Sequence, residues 1–409
     1  MKHFIWIIQD SIIRSDLKAF KHVQDMQFHL YISSVGQRFL SAEQRQLFTH
    51  IKVSDDHSFA TVSNHIEGLA LDGEVYIGTN DEASELLCVD LQNHFGTARF
   101  SRQQVQTFTH KIIMKDKLKE TSLRVPRYRS FDRQQYRQDA KAYLTSLAEH
   151  IGFPMIAKPI DKYASMDVRR INSIHELMAW AMWSSSPKDQ QNYELEEFIE
   201  GELYHCDTIV RNGEMLWSNV CHNLNPCMDY MAGKAIGAAV IPGDSAVAKD
   251  IKAFNAQALA ELNPPDGLIH LECFRTADGE LVFLEVAARP PGGDVVGMYQ
   301  YAFGFDIELI HLLLRQGLDV PVNPIEPSKY AAWISFPTIK GEVAGINLPE
   351  LSCESTLELN IEEGQQAANN SNNIVDAEAA VFRLYTEDYQ NLADDYSVLK
   401  NHQLCEVRA

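Results

Sequence analysis

No apolar run in this chain of 409 residues approaches the roughly 18 residues that a membrane-spanning helix needs. The apolar stretch Phe4–Ile8, with Lys2 before it and Asp10 soon after, is too short for the core of a secretory leader, so the cytoplasm is the expected compartment and no membrane partner is expected. Cysteine is sparse and scattered, at positions 88, 206, 221, 227, 273, 353 and 405, with no C-x-x-C pair. That argues against a disulfide framework or a zinc knuckle and predicts reduced core thiols. Basic charge is also in short supply, 36 Lys+Arg against 56 Asp+Glu for a net −20. A nucleic-acid binder must neutralise phosphates over a basic surface, so no nucleic-acid partner is expected; a small anion held by a few cations remains compatible. No G-x-G-x-x-G follows the first apolar segment, and there is no internal repeat.

What is present points to a folded protein of two or three units, because 45% of the residues are hydrophobic and 22% charged. Over residues 1–105, Phe4–Ile8, Phe28–Ser33 and Glu74–Gly78 read as buried strands. Phe59–Leu71 and Glu82–His94 read as helices between and after them, which predicts a parallel α/β domain. A basic helix closed by Val125-Pro126, a short strand Phe153–Pro159 and an amphipathic helix Ile174–Trp183 follow, the last with Trp180 and Trp183 expected in the core. From residue 190 the texture turns to β-rich runs. Asn212-Gly213 separates Leu203–Val210 from Glu214–Val220, and Asp278-Gly279 separates Leu268–Thr276 from Leu281–Ala287. Both dipeptides suit two-residue type I′ hairpins. Val322–Ser328 reads as a Pro-rich linker, Tyr330–Phe336, Gly341–Ile346 and Ala379–Tyr385 as strands, and Gln365–Asn373 as a polar loop.

The chemistry concentrates in residues 269–293. A two-residue turn at Asp278-Gly279 puts Phe274 opposite Phe283 and Glu272 opposite Glu285. Two facing carboxylates repel, and sharing a proton or binding a hard cation such as Mg²⁺ relieves them. Arg289, four residues past Glu285, shares that face, where a phosphate held by the metal is within reach. The plainer alternative is a hairpin with two acids on its wet face. It is weakened by Phe274, Leu281 and Phe283, which read as buried.

With Glu272 and Glu285-Val-Ala-Ala-Arg289 the chain resembles the ATP-grasp superfamily, whose closing signature is an acidic strand, a turn and Glu-x-Asn-x-Arg. Ala287 stands where the family usually has the Asn of its second magnesium site, and His270 faces it in the same register. Upstream, His110-Lys111-Ile-Ile-Met-Lys115 resembles the Asp-Lys segment, and Phe153–Pro159 the strand carrying the second nucleotide lysine, Lys158. The glycine-free Asp161–Val168 resembles the loop that closes over the phosphates, with Ser165 best matched. Glu194–Glu202 resembles the linker strand that holds adenine and ribose.

The resemblance implies an α/β and α+β chain. A Rossmann-like domain (1–105) would precede an ATP-grasp core (106–320, central part about 125–200), and a β-rich C-terminal piece (321–409) would complete it. It further implies a nucleotide site at Lys111, Lys158, Ser165, Glu196, Glu197, Phe198 and Ile199, with Glu202 on the ribose. Glu272 and Glu285 would hold Mg²⁺, with Mn²⁺ as an alternative, and Arg289 would act in catalysis. His205 and the Gly292-Gly293-Asp294 loop would meet substrate, although His205 also fits a core histidine and the loop an ordinary strand-to-helix connection. The implied activity is ATP-dependent, ADP-forming ligation of a carboxylate to an amine through an acyl phosphate, most similar to L-amino-acid ligases. Small-molecule acid and amine are the implied partners, and a homodimer is the commonest assembly for such an enzyme. Two rivals stay open. One is another ATP-grasp enzyme, an acyl-thioester synthetase or a biotin-carboxylase-like unit. The other is a nucleotide-binding regulatory protein without catalysis, which Ala287 and the glycine-free loop favour.

Overall fold

A computed structural model describes residues 1–15, 25–318, 320, 327–367 and 377–408. The segments Val322–Ser328 and Gln365–Asn373 fall largely outside the described residues. Among those residues, no helix is long and apolar enough to cross a membrane. The seven cysteines are free, and all but Cys227 are buried.

The N-terminal residues build a parallel four-stranded sheet from β1 (Lys2–Ile8), β2 (Met26–Ile32), β3 (Phe48–Val53) and β4 (Glu74–Gly78), in the order β3-β2-β1-β4. Ile5, Ile7 and Ile77 on one face pack against Val62, Ile66 and Leu91 of the helices Phe59–Gly68 and Glu85–His94. Phe4, Trp6 and Phe28 on the other face meet Leu312 and Leu313 of the distant helix Ile307–Arg315. Cover on both faces is why β1 and β2 read as unbroken apolar runs. The edge strand β3 lacks that signature because only Phe48 is buried.

The helix Ile307–Arg315 ties this domain to the rest of the chain. Its Ile310 and Leu314 pack in the cluster containing Leu268, and His311 Nδ1 accepts from the Leu268 N–H at 3.1 Å. Arg315 pairs with Glu85, which is 1% exposed. Burial pushes the Glu85 carboxyl from 4.5 up to about 7 despite Arg315. The native state therefore holds a proton that the unfolded chain has released. The corresponding stability is fully present below the unfolded value and lost as pH rises through the folded one. Urea unfolding at pH 5 and pH 8 should show wild type gaining about 2–3 kcal/mol on acidification relative to Glu85→Gln. Equal pH slopes for the two proteins would remove this account.

A second, antiparallel sheet comprises β5 (Tyr128–Ser130), β6 (Met155–Pro159), β7 (Arg169–Ile171) and β8 (Tyr193–Glu197), ordered β5-β8-β6-β7. The helices Ala140–Ile151 and Ile174–Ser184 cover it. Trp180 is in that core as expected, whereas Trp183 is 40% exposed, with the Arg169 guanidinium 4.2 Å from its ring centre.

The largest sheet is antiparallel and has eight strands. It contains β9 (Glu202–Arg211), β10 (Glu214–Asn223), β11 (Ile236–Val240), β12 (Gly267–Arg275), β13 (Leu281–Ala287), β14 (Tyr330–Pro337), β16 (Glu354–Leu359) and β18 (Glu378–Thr386). The order is β13-β12-β9-β10-β11-β14-β18-β16, so residues after 321 share a sheet with the preceding core. A three-stranded sheet, β17 (Gln366–Ala367), β15 (Gly341–Ile346) and β19 (Cys405–Arg408), closes the chain.

The first hairpin has both turn residues at positive φ, 51° at Asn212 and 79° at Gly213, as a type I′ turn requires. The second departs from expectation. There Gly279 alone is at positive φ, 88°, and Thr276 N–H donates to Glu280 O at 3.0 Å, closing a three-residue loop over Ala277–Gly279. The longer loop moves the facing residues by one, so Phe274 lies opposite Val282 rather than Phe283. A bulge in β13 at Leu284 then supplies an extra residue and returns Glu272 to its place opposite Glu285. The expected acidic pair is found, but through two deviations that cancel.

Candidate active site

One open cleft of about 1460 Å³ gathers Lys111, Lys158, Ser165, Glu196, Glu197, Phe198, Ile199, His205, Glu272, Glu285, Arg289, Gly292, Gly293 and Asp294. Glu202 is not among its lining residues. Side chains alternate along β9, and the cleft takes Leu203 and His205 from one face. Glu202 and Tyr204 point the other way, and the Glu202 carboxylate accepts from Tyr204 OH at 3.0 Å. The ribose contact expected of Glu202 is corrected on this ground; Glu200, just before β9, lines the cleft instead.

β9, β12 and β13 lay out the acidic side in two rows on one sheet face. One row is Asp207–His270–Ala287 and the next is His205–Glu272–Glu285. The Glu272 and Glu285 side chains are 17% and 32% exposed. Opposed carboxylates that remain open to a cleft fit a hard, oxygen-seeking divalent cation. Burial would raise the Glu285 carboxyl, but Lys111, 3.7 Å away, with Lys158 and Arg289, holds it below the ordinary value. Each acid thus has a cation of its own, because the His270 Nε2 lies 3.3 Å from Glu272 Oε1.

His270 Nδ1 lies 2.7 Å from Asp207 Oδ1, so the ring has a carboxylate at each nitrogen. Burial would lower its pKa, yet Asp207 and Glu272 lift it to about 9. His205 behaves oppositely, as burial pushes its imidazole down and keeps it neutral. Its Nδ1 meets Asn223 Oδ1 at 2.6 Å, while Nε2 lies 3.4 Å from Asp207 Oδ2 with no hydrogen-bond partner. His205 is therefore a buried histidine that also borders the cleft.

The cations come from three places. His110 caps the helix Lys111–Leu118, accepting from Ile113 N–H at 3.4 Å, and this sets Lys111 at the helix start. Lys111 also donates to the Lys162 carbonyl. Lys158, on β6, is 2.6 Å from Glu196 Oε1 and 3.5 Å from Glu194 Oε1. Burial would lower its pKa, but the two glutamates raise it. Lys115 was not singled out, yet it is fully buried and pairs with both Glu194, at 2.7 Å, and Glu196. Two lysines and two glutamates of equal and opposite formal charge make a buried knot in the cleft wall, which Lys158 and Glu196 line. Half of its signal was available, since Glu194 and Glu196 are two apart on one strand face, but nothing along the chain links Lys115 or Lys158 to them. Glu197 turns its carboxylate away to Arg124, at 2.9 Å, and Arg127, at 3.2 Å.

Arg289 reaches the N-terminal domain, where its Nε donates to Glu82 Oε2 at 2.8 Å. Glu82 was missed because nothing along the chain links it to β13. Over the cleft, Asp161–Val168 lacks glycine, but Ala164, Ser165 and Asp167 sit at φ 52°, 53° and 57°. These residues take up the left-handed backbone that glycine usually supplies, at some cost in strain. Tyr163 from this loop donates to Asp10 of the N-terminal domain. On the far side, Pro290–Asp294 connects β13 to the helix Val295–Phe303. Gly293 is at φ 64°, and a Cβ there would lie 2.0 Å from the Trp333 ring. Asp294 accepts from Arg383 Nε at 2.5 Å.

The ATP-grasp domain family matches residues 151–297. Over 99% of both chains, the fold superposes on an L-amino acid ligase from Bacillus licheniformis with a TM-score of 0.72 at 13% identity. The chain thus has an ATP-grasp fold behind an N-terminal parallel α/β domain. In sequence it is 26% identical to an L-arginine-specific L-amino acid ligase from Bacillus subtilis over 302 residues, 72% of this chain and 71% of that protein. A D-alanine–D-alanine ligase from Oceanobacillus iheyensis is 28% identical over 204 residues, 46% of this chain and 51% of that protein.

Proposed function

We propose that this chain is an ATP-dependent, ADP-forming ligase that activates a carboxylate as an acyl phosphate and joins it to an amine, with amino acids in both roles. The observation that carries the reading is the opposed pair Glu272–Glu285 set among Lys111, Lys158 and Arg289 in one cleft. In this reading Glu272 and Glu285 hold Mg²⁺, or Mn²⁺ in its place, and the metal when bound neutralises charge on the transferring phosphoryl group. The residues 1–105, 106–320 and 321–409 divide the labour as N-terminal domain, nucleotide core and C-terminal completion. In this reading the enzyme works in the cytoplasm, and a homodimer is the commonest assembly for such an enzyme.

The chemistry accounts for the residues. A carboxylate is a poor electrophile because its leaving group would be oxide. Transfer of the γ-phosphoryl group gives an acyl phosphate and ADP. The amine then attacks the carbonyl carbon, its N–C bond forms as the C–O bond to phosphate breaks, and phosphate and a proton leave. Phosphoryl transfer asks chiefly for positioning and charge neutralisation. Lys111 and Lys158 are the cations aimed at the nucleotide phosphates, and Arg289 is the one aimed at charge developing on the reacting carbonyl. The backbone of Glu197–Ile199 reads adenine, and Ser165 with its loop covers the phosphates. The Gly292-Gly293 backbone and His205 border the substrate side. The L-arginine-specific and D-alanine–D-alanine ligases among the relatives support amino acids as the substrate class.

The reading predicts ADP and phosphate release in equal amounts when ATP, Mg²⁺ and a pair of L-amino acids are mixed with the protein, together with a dipeptide mass. Screening the standard amino acids pairwise checks it. ATP binding without turnover for any pair would favour the regulatory alternative.

A further inference from the structure

The acid at 272 is held by more than its strand. Tyr299, on the helix Val295–Phe303, donates its OH to Asp207 Oδ2 at 2.6 Å. Asp207 Oδ1 lies 2.7 Å from His270 Nδ1, and His270 Nε2 lies 3.3 Å from Glu272 Oε1. Tyr299 and Asp207 are fully buried and His270 is 8% exposed, so the Tyr299–Asp207 and Asp207–His270 bonds are made out of water and only the last, to Glu272, meets the cleft. His270 and Asp207 are direct partners across β9 and β12, and His270 faces Ala287 across β12 and β13. Facing side chains on one sheet surface stand about 5 Å apart, and a lone methyl at 287 leaves that space to the imidazole.

We propose that Tyr299, Asp207 and His270 form a hydrogen-bonded relay whose task is to fix the Glu272 carboxylate in the orientation its divalent cation requires. The three are positioning residues, acting through Glu272, and His270 takes over the space and part of the ordering role that a polar side chain at 287 would have. The inference rests on the assignment of Glu272 and Glu285 to the cation. It also explains why His205, Asp207 and His270, whose ligand atoms all lie within 4.8 Å of one another, are not read as a metal site themselves. Both Asp207 oxygens and both His270 nitrogens are already engaged in the relay.

The test is Mn²⁺ binding to the full chain with ADP present, followed by the electron paramagnetic resonance signal of free Mn²⁺. His270→Gln, which leaves the ring's bonds unmade, should weaken Mn²⁺ about tenfold or more, the range seen when residues that orient metal ligands are lost. Tyr299→Phe removes one hydroxyl from the far end and opens no cavity. It should weaken Mn²⁺ a few-fold while the protein stays folded, with the urea midpoint lowered only by the loss of one buried hydrogen bond. Adding Ala287→Asn to His270→Gln should recover most of the loss. Wild-type Mn²⁺ affinity in both His270→Gln and Tyr299→Phe overturns the relay. Should His270→Gln fail to fold, Tyr299→Phe decides by itself. Unaltered Mn²⁺ binding in both Glu272→Gln and Glu285→Gln would instead remove the cation assignment beneath it, so the two failures are told apart.

Discussion

Glu285→Gln should abolish ATP-dependent turnover, lowering ADP release by about 10²–10³-fold or more while leaving the fold intact. The substitution keeps the shape of the side chain and removes its charge. That charge stands opposite Glu272, 3.7 Å from Lys111, in a cleft it shares with Lys158 and Arg289. With glutamine there, a hard cation loses one of its two anionic ligands and Lys111 loses its counter-charge. A preorganised charge of this kind is worth several kcal/mol in a transition state that develops negative charge. Coupled-enzyme detection of ADP is the measurement, with circular dichroism to show that the protein is folded. Retention of more than about a tenth of the wild-type rate would sink the metal assignment.

Lys115→Met should destabilise the protein by about 3–5 kcal/mol, the range for stripping one partner from a buried ionic group. The Lys115 ammonium is fully buried between Glu194 and Glu196, which Lys158 also contacts. With Lys115 gone, two carboxylates share one lysine in a dry site, and an uncompensated charge remains. Lys158 is then drawn deeper into the pair and away from the cleft, so the KM for ATP should rise as well. The second substitution Glu194→Gln restores neutrality and should recover a good part of the loss, a coupling that a double-mutant cycle reads directly. Thermal unfolding and ATP titration of the three variants are the checks. An unfolding midpoint within a degree of wild type for Lys115→Met would show that the knot contributes nothing.

Much of this architecture was legible along the chain, for local reasons. β1, β2 and β4 are apolar runs with helix-length spacers, and they form a parallel sheet. Asn212-Gly213 closes a hairpin because asparagine and glycine accept positive φ. Elements without a burial signature were missed. β16 is exposed at every position, and β3 is exposed at most. The helix Tyr389–Lys400 carries its apolar residues too thinly to show a stripe.

The pairing of Glu272 with Glu285 separates the two sources of information most clearly. Alternation along a strand and a turn signal place two acids near one another. They do not reveal that the loop has three residues or that a bulge at Leu284 compensates, because both depend on how β12 is held against β9. Glu202 shows the same limit: its motif position suggested the cleft, and strand alternation in the folded sheet sends it to the other face.

The sequence by itself determined the types of the strongly patterned elements, the acidic character of the chain and the identity of the central charged groups Lys111, Lys158, Glu272, Glu285 and Arg289, since these follow from spacing and side-chain chemistry over a few residues. Only the tertiary structure decided which charges meet: Arg289 with Glu82, Lys115 with Glu194 and Glu196, and His270 with Asp207 and Glu272. Those partners come from different strands, helices and domains. Coulomb and hydrogen-bond energies depend on separations in space, and packing sets those separations once the apolar faces have been buried.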